Sequence, residues 1–297
     1  MKLVWIAVGI IVILILAVCV ISWIENRKLT ITSYPVVSAR IPESFDGCRI
    51  VVLADLHNAV FGERNERLLQ AIRQQKPDYI ILAGDMLVGK QGASTAVPAE
   101  LLQELSKLAP VYYGMGNHEM RISRKPEEYG SMWEDYKNSL GTSVIWLADK
   151  SVMLTRGKEQ IALYGLDLDP IYYKRFKKHP MEEAYLKQKL GTSDANRYEI
   201  LIAHNPNYFP EYAAWGADLV LSGHIHGGMI RLPGLGGCLS PMFHIFPKYD
   251  RGWYQEGNSV MLLSGGLGNH TFKFRVHNLP ELLVVTLQTQ NTDEDAR

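Results

Sequence analysis

The chain has 297 residues, 47% of them hydrophobic and 21% charged, with 25 glycines and 14 prolines; this composition excludes intrinsic disorder, collagen and coiled coil as the main architecture. Lysine plus arginine equals aspartate plus glutamate at 31 each, so nothing in the charge asks for a nucleic-acid backbone as partner. The three cysteines, Cys19, Cys48 and Cys238, cannot build a disulfide framework, and none sits in a CxxC pair. The length suits two average domains or one large α/β domain.

Residues 3–24 form an uncharged run of 22 residues in which only Ser22 is polar. As a helix it would span about 33 Å, close to the thickness of a bilayer's hydrocarbon core. A cleaved signal peptide fits less well, because the run is too long and no A-x-A site follows it. Leu16-Ala17-Val18-Cys19 has the outline of a lipobox, but Val18 replaces the small residue expected before the cysteine and apolar residues continue beyond it. Trp5 and Trp23 suit the two interfaces. We therefore expect a membrane anchor over 1–25. Lys2 against Arg27 and Lys28 nearly ties the positive-inside comparison. A short N-terminal tail kept in the cytoplasm would place the remainder outside, in a single-pass cell-membrane protein.

A tether is expected over 26–45, broken by Pro35 and Pro42. Beyond it strand and helix signals alternate. Strands are predicted at 49–55, 78–83, 110–114, 198–203 and 218–222, with a cluster of short strands over 144–166. Helices are predicted at 63–75, 98–108, 126–140, 181–190 and 207–215, and the stretch 228–287 is strand-rich. This alternation argues for an α/β fold with sheet inside and helices outside. One domain over 46–288 is expected, followed by a polar tail over 289–297.

Chemistry-bearing residues sit where the strands end. Asp55-Leu56-His57 follows RIVVLA, Gly84-Asp85 follows DYIILA, and Gly116-Asn117-His118-Glu119 follows VYYGM. His204-Asn205 follows EILIA, and Gly223-His224-Ile225-His226-Gly227-Gly228 follows DLVLS. In α/β folds, ligands bind outside the carboxyl ends of the strands. A single DxH or GNH triplet recurs by chance; the ordered set of five does not. Asp55, Asp85, His57, His204, His224, His226 and the amide of Asn117 supply seven donor groups. Two divalent cations about 3.5–4 Å apart need such a set, with one bridging carboxylate, to clamp a phosphorus centre. Two carboxylates leave about +2 of formal charge, which attracts phosphate and makes a bridging water acidic enough to yield hydroxide near neutral pH. Imidazole and carboxylate without thiolate select Mn, Fe, Zn, Co or Ni over Ca or an all-oxygen Mg site.

Each assignment has a plainer rival. Asp55 and Asp85 could cap helices; His224 and His226 could be loop imidazoles; His204 could be a buried core histidine; His118 could be a turn residue. Gly268-Asn269-His270 repeats the GNH triplet but falls after GHIHGG, so it is rejected as a ligand source, with His270 left at the pocket mouth. Asp167 and Asp169, ahead of Pro170, read as turn or cap residues. His179, His244 and His277 have no partner pattern. Lys174, Arg175, Lys177 and Lys178 form a basic run that is either a solvated loop or a contact for phosphate headgroups. Arg231, Lys248 and Arg251 could also meet an anion.

The series DLH, GD, GNHE, AHN and GHIHGG resembles the calcineurin-like metallophosphoesterase family over residues 48–285, above all its bacterial membrane-associated branch. The resemblance implies a four-layer αββα sandwich of two mixed sheets. It implies that Asp55, His57 and His226 bind the first metal, that Asn117, His204 and His224 bind the second, and that Asp85 bridges both. His118 would not be a ligand; it would hydrogen-bond the phosphate and protonate the leaving oxygen. Ile225 stands where Thr is common and Met229 where Gln often follows GG, and neither is a ligand. The implied activity is metal-dependent phosphoester hydrolysis, on a monoester or diester, with an envelope- or lipid-associated substrate as one reading. The alternatives are a pyrophosphatase of the UDP-2,3-diacylglucosamine type and, from another class, a catalytically silent metal-binding protein. No nucleic-acid partner is expected.

Overall fold

A computed structural model describes residues 1–175, 178–240, 245–269 and 274–290 of the chain. Of the residues singled out above, Lys177, His244 and His270 lie outside the described set.

In chain order the elements are α1 (Lys2–Glu25), β1 (Thr30–Ser38), β2 (Arg49–Leu53), α2 (Glu66–Gln75), β3 (Tyr79–Ala83), α3 (Ala96–Leu105), β4 (Val111–Gly114), α4 (Asn117–Arg124), α5 (Pro126–Tyr129) and α6 (Met132–Leu140). They continue with β5 (Ile145–Leu147), β6 (Lys150–Arg156), β7 (Glu159–Gly165), α7 (Glu183–Leu190), β8 (Glu199–Ile202), α8 (Phe209–Trp215) and β9 (Leu219–Ser222). The hairpin β10 (Arg231–Leu232) and β11 (Gly236–Gly237) follows, then β12 (Gly252–Glu256), β13 (Ser259–Leu263) and β14 (Glu281–Thr289).

Strand alternation builds the layers. On β2, Ile50 and Val52 face one core while Val51 and Leu53 face another; on β3, Ile81 and Ala83 oppose Ile80 and Leu82 in the same way. Strands buried on both faces read as continuous apolar runs, and that is the pattern of the sequence here. The strands form two six-stranded sheets, in the orders β1-β14-β2-β3-β4-β5 and β12-β13-β9-β8-β7-β6. Both are mixed: β14 is antiparallel to β2 in the first, and β6 is antiparallel to β7 in the second. Ile50, Val52, Ile81, Ile200, Ile202, Leu219 and Leu221 fill the space between the sheets. The outer face of the first sheet packs on Leu68, Ile72, Leu101, Leu102 and Tyr136 of α2, α3 and α6. That of the second packs on Leu186, Phe209, Tyr212 and Trp215 of α7 and α8. The result is the four-layer αββα sandwich of two mixed sheets.

Three segments differ from the sequence expectation. Residues 30–38, expected inside the tether, form β1, which pairs in parallel with β14 from Thr30–Glu281 to Ser38–Thr289. Its Thr, Ile, Tyr and Val residues favour an extended chain, and Pro35 is tolerated because an edge strand has a ladder on one side only. The helix expected over 126–140 is broken into α5 and α6 by Gly130, which has a positive φ of 60°. Helix α4 was not anticipated; it starts inside the GNHE motif, with Gly116 donating its N–H to the Glu119 carboxylate at 3.1 Å. Helix α1 is apolar all round, and Ser22 is its one buried residue.

A chain beginning at residue 29 keeps β1, whereas one beginning at residue 41 leaves the backbone of β14 unpaired along one edge. Calorimetry should find the midpoint of the shorter chain lower by more than about 5 °C. Equal midpoints would show that β1 adds nothing to the sheet.

Candidate metal centre

The parallel strands of both sheets deliver their carboxyl ends to one place. From the first sheet, the Asp55 N–H donates to the Gly84 carbonyl at 3.0 Å, which stitches the end of β2 to that of β3. From the second, the Gly223 N–H donates to the His204 carbonyl at 3.1 Å, which does the same for β9 and β8. The sheets are joined across the gap by the His224 N–H, which donates to both oxygens of Asp55 at 3.1 and 3.0 Å, and by His204 Nδ1, which donates to the Ala83 carbonyl at 2.6 Å. Three triads of buried donors result, Asp55–His57–His226, Asp85–His204–His224 and His57–Asp85–His118, with the donor atoms of each triad within 4.8 Å of one another. Asn117 lies beside them, 8% exposed. The structure thus gathers six of the seven expected donors into one cluster, with Asn117 buried at the start of α4 next to His118.

Their orientation fits a pair of cations. His57, His204 and His226 each direct Nδ1 at a backbone carbonyl, those of Leu87, Ala83 and Gly268. That fixes the tautomer and leaves the Nε2 lone pair aimed inward. His57 Nε2 and His226 Nε2 face each other at 3.3 Å, a contact between two acceptors that only a cation or a proton reconciles. Asn117 Oδ1 and His224 Nε2 are buried without a hydrogen-bond partner, a costly arrangement unless another ligand satisfies them. Asp85 spends Oδ1 on the His118 N–H at 2.8 Å and turns Oδ2 to the centre, 3.1 Å from His204 and 3.8 Å from His57. These residues could hold two divalent ions, with Asp85 reaching both.

Electrostatics point the same way. Burial opposes charge on Asp55, yet the imidazoles, His226 foremost, hold its carboxyl below the usual range. Asp85 is likewise held well below it, by His204 and His118 against burial. Burial also opposes charge on His204, but the Asp85 carboxylate outweighs it and raises the imidazole to about 10. Burial lowers His224 to about 3, with His204 adding to the effect, and lowers His226 to about 4. The carboxylates therefore draw positive charge into the cluster, and His204 is the imidazole that most strongly keeps it.

The local backbone is bent to serve this geometry. Asp55, His57, Asp85, His224 and His226 all have positive φ, between 45° and 78°, at a cost of about 1–2 kcal/mol per residue. Gly116 must lack a side chain, because a Cβ there would strike Asp85 Oδ1. Glu119 holds the turn. Its fully buried carboxylate accepts from the N–H groups of Asp85 and Met86 at 2.8 Å, from those of Leu87 and Gly116 at 3.1 Å, and from the Tyr113 hydroxyl at 2.8 Å. Arg275, also fully buried, donates to the carbonyls of Gly265, Gly266 and Gly268 at 3.0 Å and so frames His226 from behind.

His118 stands at the rim of the cluster, its Nε2 3.9 Å from Asp85 Oδ2. The Gly89 N–H donates to its Nδ1 at 2.6 Å, which puts the imidazole proton on Nε2, facing the centre. The helix-cap reading of Asp85 is half realised, since Oδ1 caps α4 from a different strand. Asp167 and Asp169 form no metal pair; Arg124 bonds them at 2.7 and 2.8 Å. Lys178 is engaged by Glu211 at 3.1 Å and lies over the Tyr208 ring, and Arg231 pairs with Asp250 at 2.9 Å. His277 is exposed. Glu119 and Arg275 are the site residues that the sequence reading did not single out; Glu119 was signalled by its place after His118, while nothing in the spacing marks Arg275. Replacing Glu119 with Ala strands four buried N–H groups, each worth about 1–3 kcal/mol. Denaturant unfolding should show a loss above about 3 kcal/mol, and a loss below about 1 kcal/mol would remove Glu119 as the organiser of the turn.

Comparison with known proteins agrees with this architecture. The sequence profile of the family described as "Calcineurin-like phosphoesterase" matches residues 48–228, more than half of the chain. The chain is 27% identical over 279 residues to "Uncharacterized metallophosphoesterase YkuE" of Bacillus subtilis, covering 91% of this chain and 89% of that one. It is 25% identical over 242 residues to "Phosphodiesterase YaeI" of Escherichia coli, covering 80% and 82%. Among solved structures, the sulfate thiohydrolase SoxB of "Termus thermophilus" aligns with a TM-score of 0.48 and 14% identity, over 84% of this chain and 57% of that one. With its donor cluster at the strand ends and its profile match across them, the chain belongs to the calcineurin-like phosphoesterase family, whose members are dimetal-dependent phosphoester hydrolases.

Proposed function

We propose that this chain hydrolyses phosphoesters at a dinuclear centre in which Asp55, His57 and His226 hold one divalent ion, Asn117, His204 and His224 hold the other, and Asp85 touches both. The observation that carries the reading is the clustering of six buried carboxylate and imidazole donors, with atoms of His204, His224 and the nearby Asn117 lacking a hydrogen-bond partner. When bound, the ion pair supplies an acidified water as nucleophile and positive charge for the phosphoryl oxygens. The chain's own part is positional. Carbonyls of Leu87, Ala83 and Gly268 fix three imidazoles, and Glu119 fixes Asp85. His118, its proton held on Nε2 by the Gly89 N–H, donates a hydrogen bond to the phosphoryl or leaving oxygen. A diester substrate is favoured by the relative described as a phosphodiesterase. The long apolar run in α1 supports single-pass membrane anchoring, and a short N-terminal tail kept in the cytoplasm would put the catalytic domain outside it. A silent metal-binding protein would have no use for a His118 so held.

Asp85→Ala should abolish both retention of metal, read by elemental analysis, and hydrolysis of bis-p-nitrophenyl phosphate. His118→Ala should retain metal while losing about 10²–10⁴-fold in turnover. Full activity in that variant would take His118 out of the mechanism. Comparing that diester with p-nitrophenyl phosphate and with a nucleotide-linked lipid separates diesterase, monoesterase and pyrophosphatase.

Metal binding should also depend on pH. His204, raised to about 10, carries a proton at neutral pH that an incoming cation must displace, whereas His224 and His226, lowered to about 3 and about 4, carry none. Raising the pH removes the competing proton, so affinity should climb about tenfold per pH unit from about pH 6 to 9 in chelator competition. An affinity that is flat across this window would show that His204 is not displaced.

A further inference from the structure

The last turn of α1 is docked onto the catalytic domain beside the metal centre. Ser22 Oγ accepts from the Arg275 N–H at 2.9 Å, Glu25 accepts from the Asn278 N–H at 3.2 Å, and the Arg27 carbonyl accepts from Arg67 at 3.1 Å. Arg275 bonds the Gly268 carbonyl, which is also the acceptor for His226 Nδ1. Asn278 bonds the His226 carbonyl at 2.7 Å. Two short chains of bonds therefore tie the end of the apolar helix to a candidate ligand. Beside them lies a cavity of 590 Å³, lined by Trp23 of the helix, by Arg27 just beyond its end, and by His57, Ala59 and Val60. The guanidinium of Arg27 lies over the Trp23 ring at 3.9 Å, the aromatic-plus-cation pairing of a membrane interface. At this mouth the apolar Val60 is 53% exposed. The β10–β11 hairpin is bound to the same docking segment, because the Arg231 N–H donates to the Val276 carbonyl at 2.9 Å.

Resting on the hydrolase and anchoring reading above, we infer that the substrate is a long-chain phosphodiester of the bilayer. Its charged head enters the cavity between Arg27 and His57, while its alkyl chain lies along α1. The shape and chemistry of the cavity demand both halves. Its inner end reaches His57 of the candidate metal centre, its rim carries the Arg27 cation, and its outer wall is the end of a helix that is apolar throughout residues 3–21. A water-soluble ester would leave that wall and the exposed Val60 unmatched, whereas an amphiphile covers them. Rigid docking at Ser22 and Glu25 holds the opening at the depth where the headgroups of its own membrane lie.

The test uses the full chain in dodecyl maltoside micelles, loaded with Mn²⁺, and two diesters that share one leaving group: p-nitrophenyl ethyl phosphate and p-nitrophenyl hexadecyl phosphate. The hexadecyl ester should exceed the ethyl ester in kcat/KM by about tenfold or more, a difference of about 1.4 kcal/mol. Sharing a micelle also favours the hexadecyl ester, so the deciding measurement is the ratio in cavity variants. Ala59→Trp, which narrows the passage, and Val60→Trp, at its exposed rim and therefore tolerant of folding, should each cut the hexadecyl-to-ethyl ratio at least about threefold, or about 0.65 kcal/mol. Hydrolysis of the ethyl ester with a ratio near one, or a ratio unchanged in both variants, overturns the inference and leaves the hydrolase reading standing. Hydrolysis of neither ester by the wild-type chain removes the hydrolase reading and the inference with it.

Discussion

Two carboxylates, Asp55 and Asp85, are buried at the ends of neighbouring strands, and the rest of the centre answers to that fact. A carboxylate taken out of water needs donors or cations around it. Here the surroundings offer the N–H of His224 to Asp55, the N–H of His118 to Asp85, and imidazoles to both. Of those imidazoles His204 most strongly keeps a proton of its own. Three of them have already committed Nδ1 to a carbonyl, and His224 and His226 are held neutral by burial. A positive charge is required at the centre, and the donor geometry specifies where it sits.

The sandwich makes such a site affordable. Apolar strands packed on both faces form a rigid frame, and only the turns beyond their carboxyl ends are strained. Five candidate ligands sit at positive φ in those turns. Strain of this kind persists only where surrounding structure over-determines it, and Glu119 and Arg275 are that surrounding structure. Each is a buried charged group whose hydrogen bonds go mainly to backbone, so each fixes where the chain runs and leaves the reacting groups free.

Much of this was legible before any coordinates. Asp55, His57, Asp85, Asn117, His204, His224 and His226 were readable because they follow apolar strand runs in a fixed order, and order along the chain survives folding. The alternating strands and helices gave the layers for the same reason. Strand β1 was not legible, since Pro35 and polar neighbours look like a linker until β14 is there to pair with it. Helix α4 was hidden because its cap is a glycine and its first residues already belonged to a motif. Arg275 was invisible for a different reason: its partners are carbonyls from residues 265–268, and a side chain that serves backbone leaves no pattern among side chains. The apolar helix α1 was plain from composition, but its docking through Ser22 depends on one polar residue inside an apolar run.

The pairing of β1 with β14 has a consequence for biogenesis. Thr30 meets Glu281 and Ser38 meets Thr289, so the first strand to leave the ribosome waits for the last. Long-range pairing of this kind is slow to form, because loop closure must come before the contact rewards it. Until β14 has been made, β1 stands beside an apolar helix with its ladder edge bare. The sheet can close only after all of the intervening chain has been synthesised, which makes the nascent chain, rather than the folded enzyme, the form most exposed to misassembly.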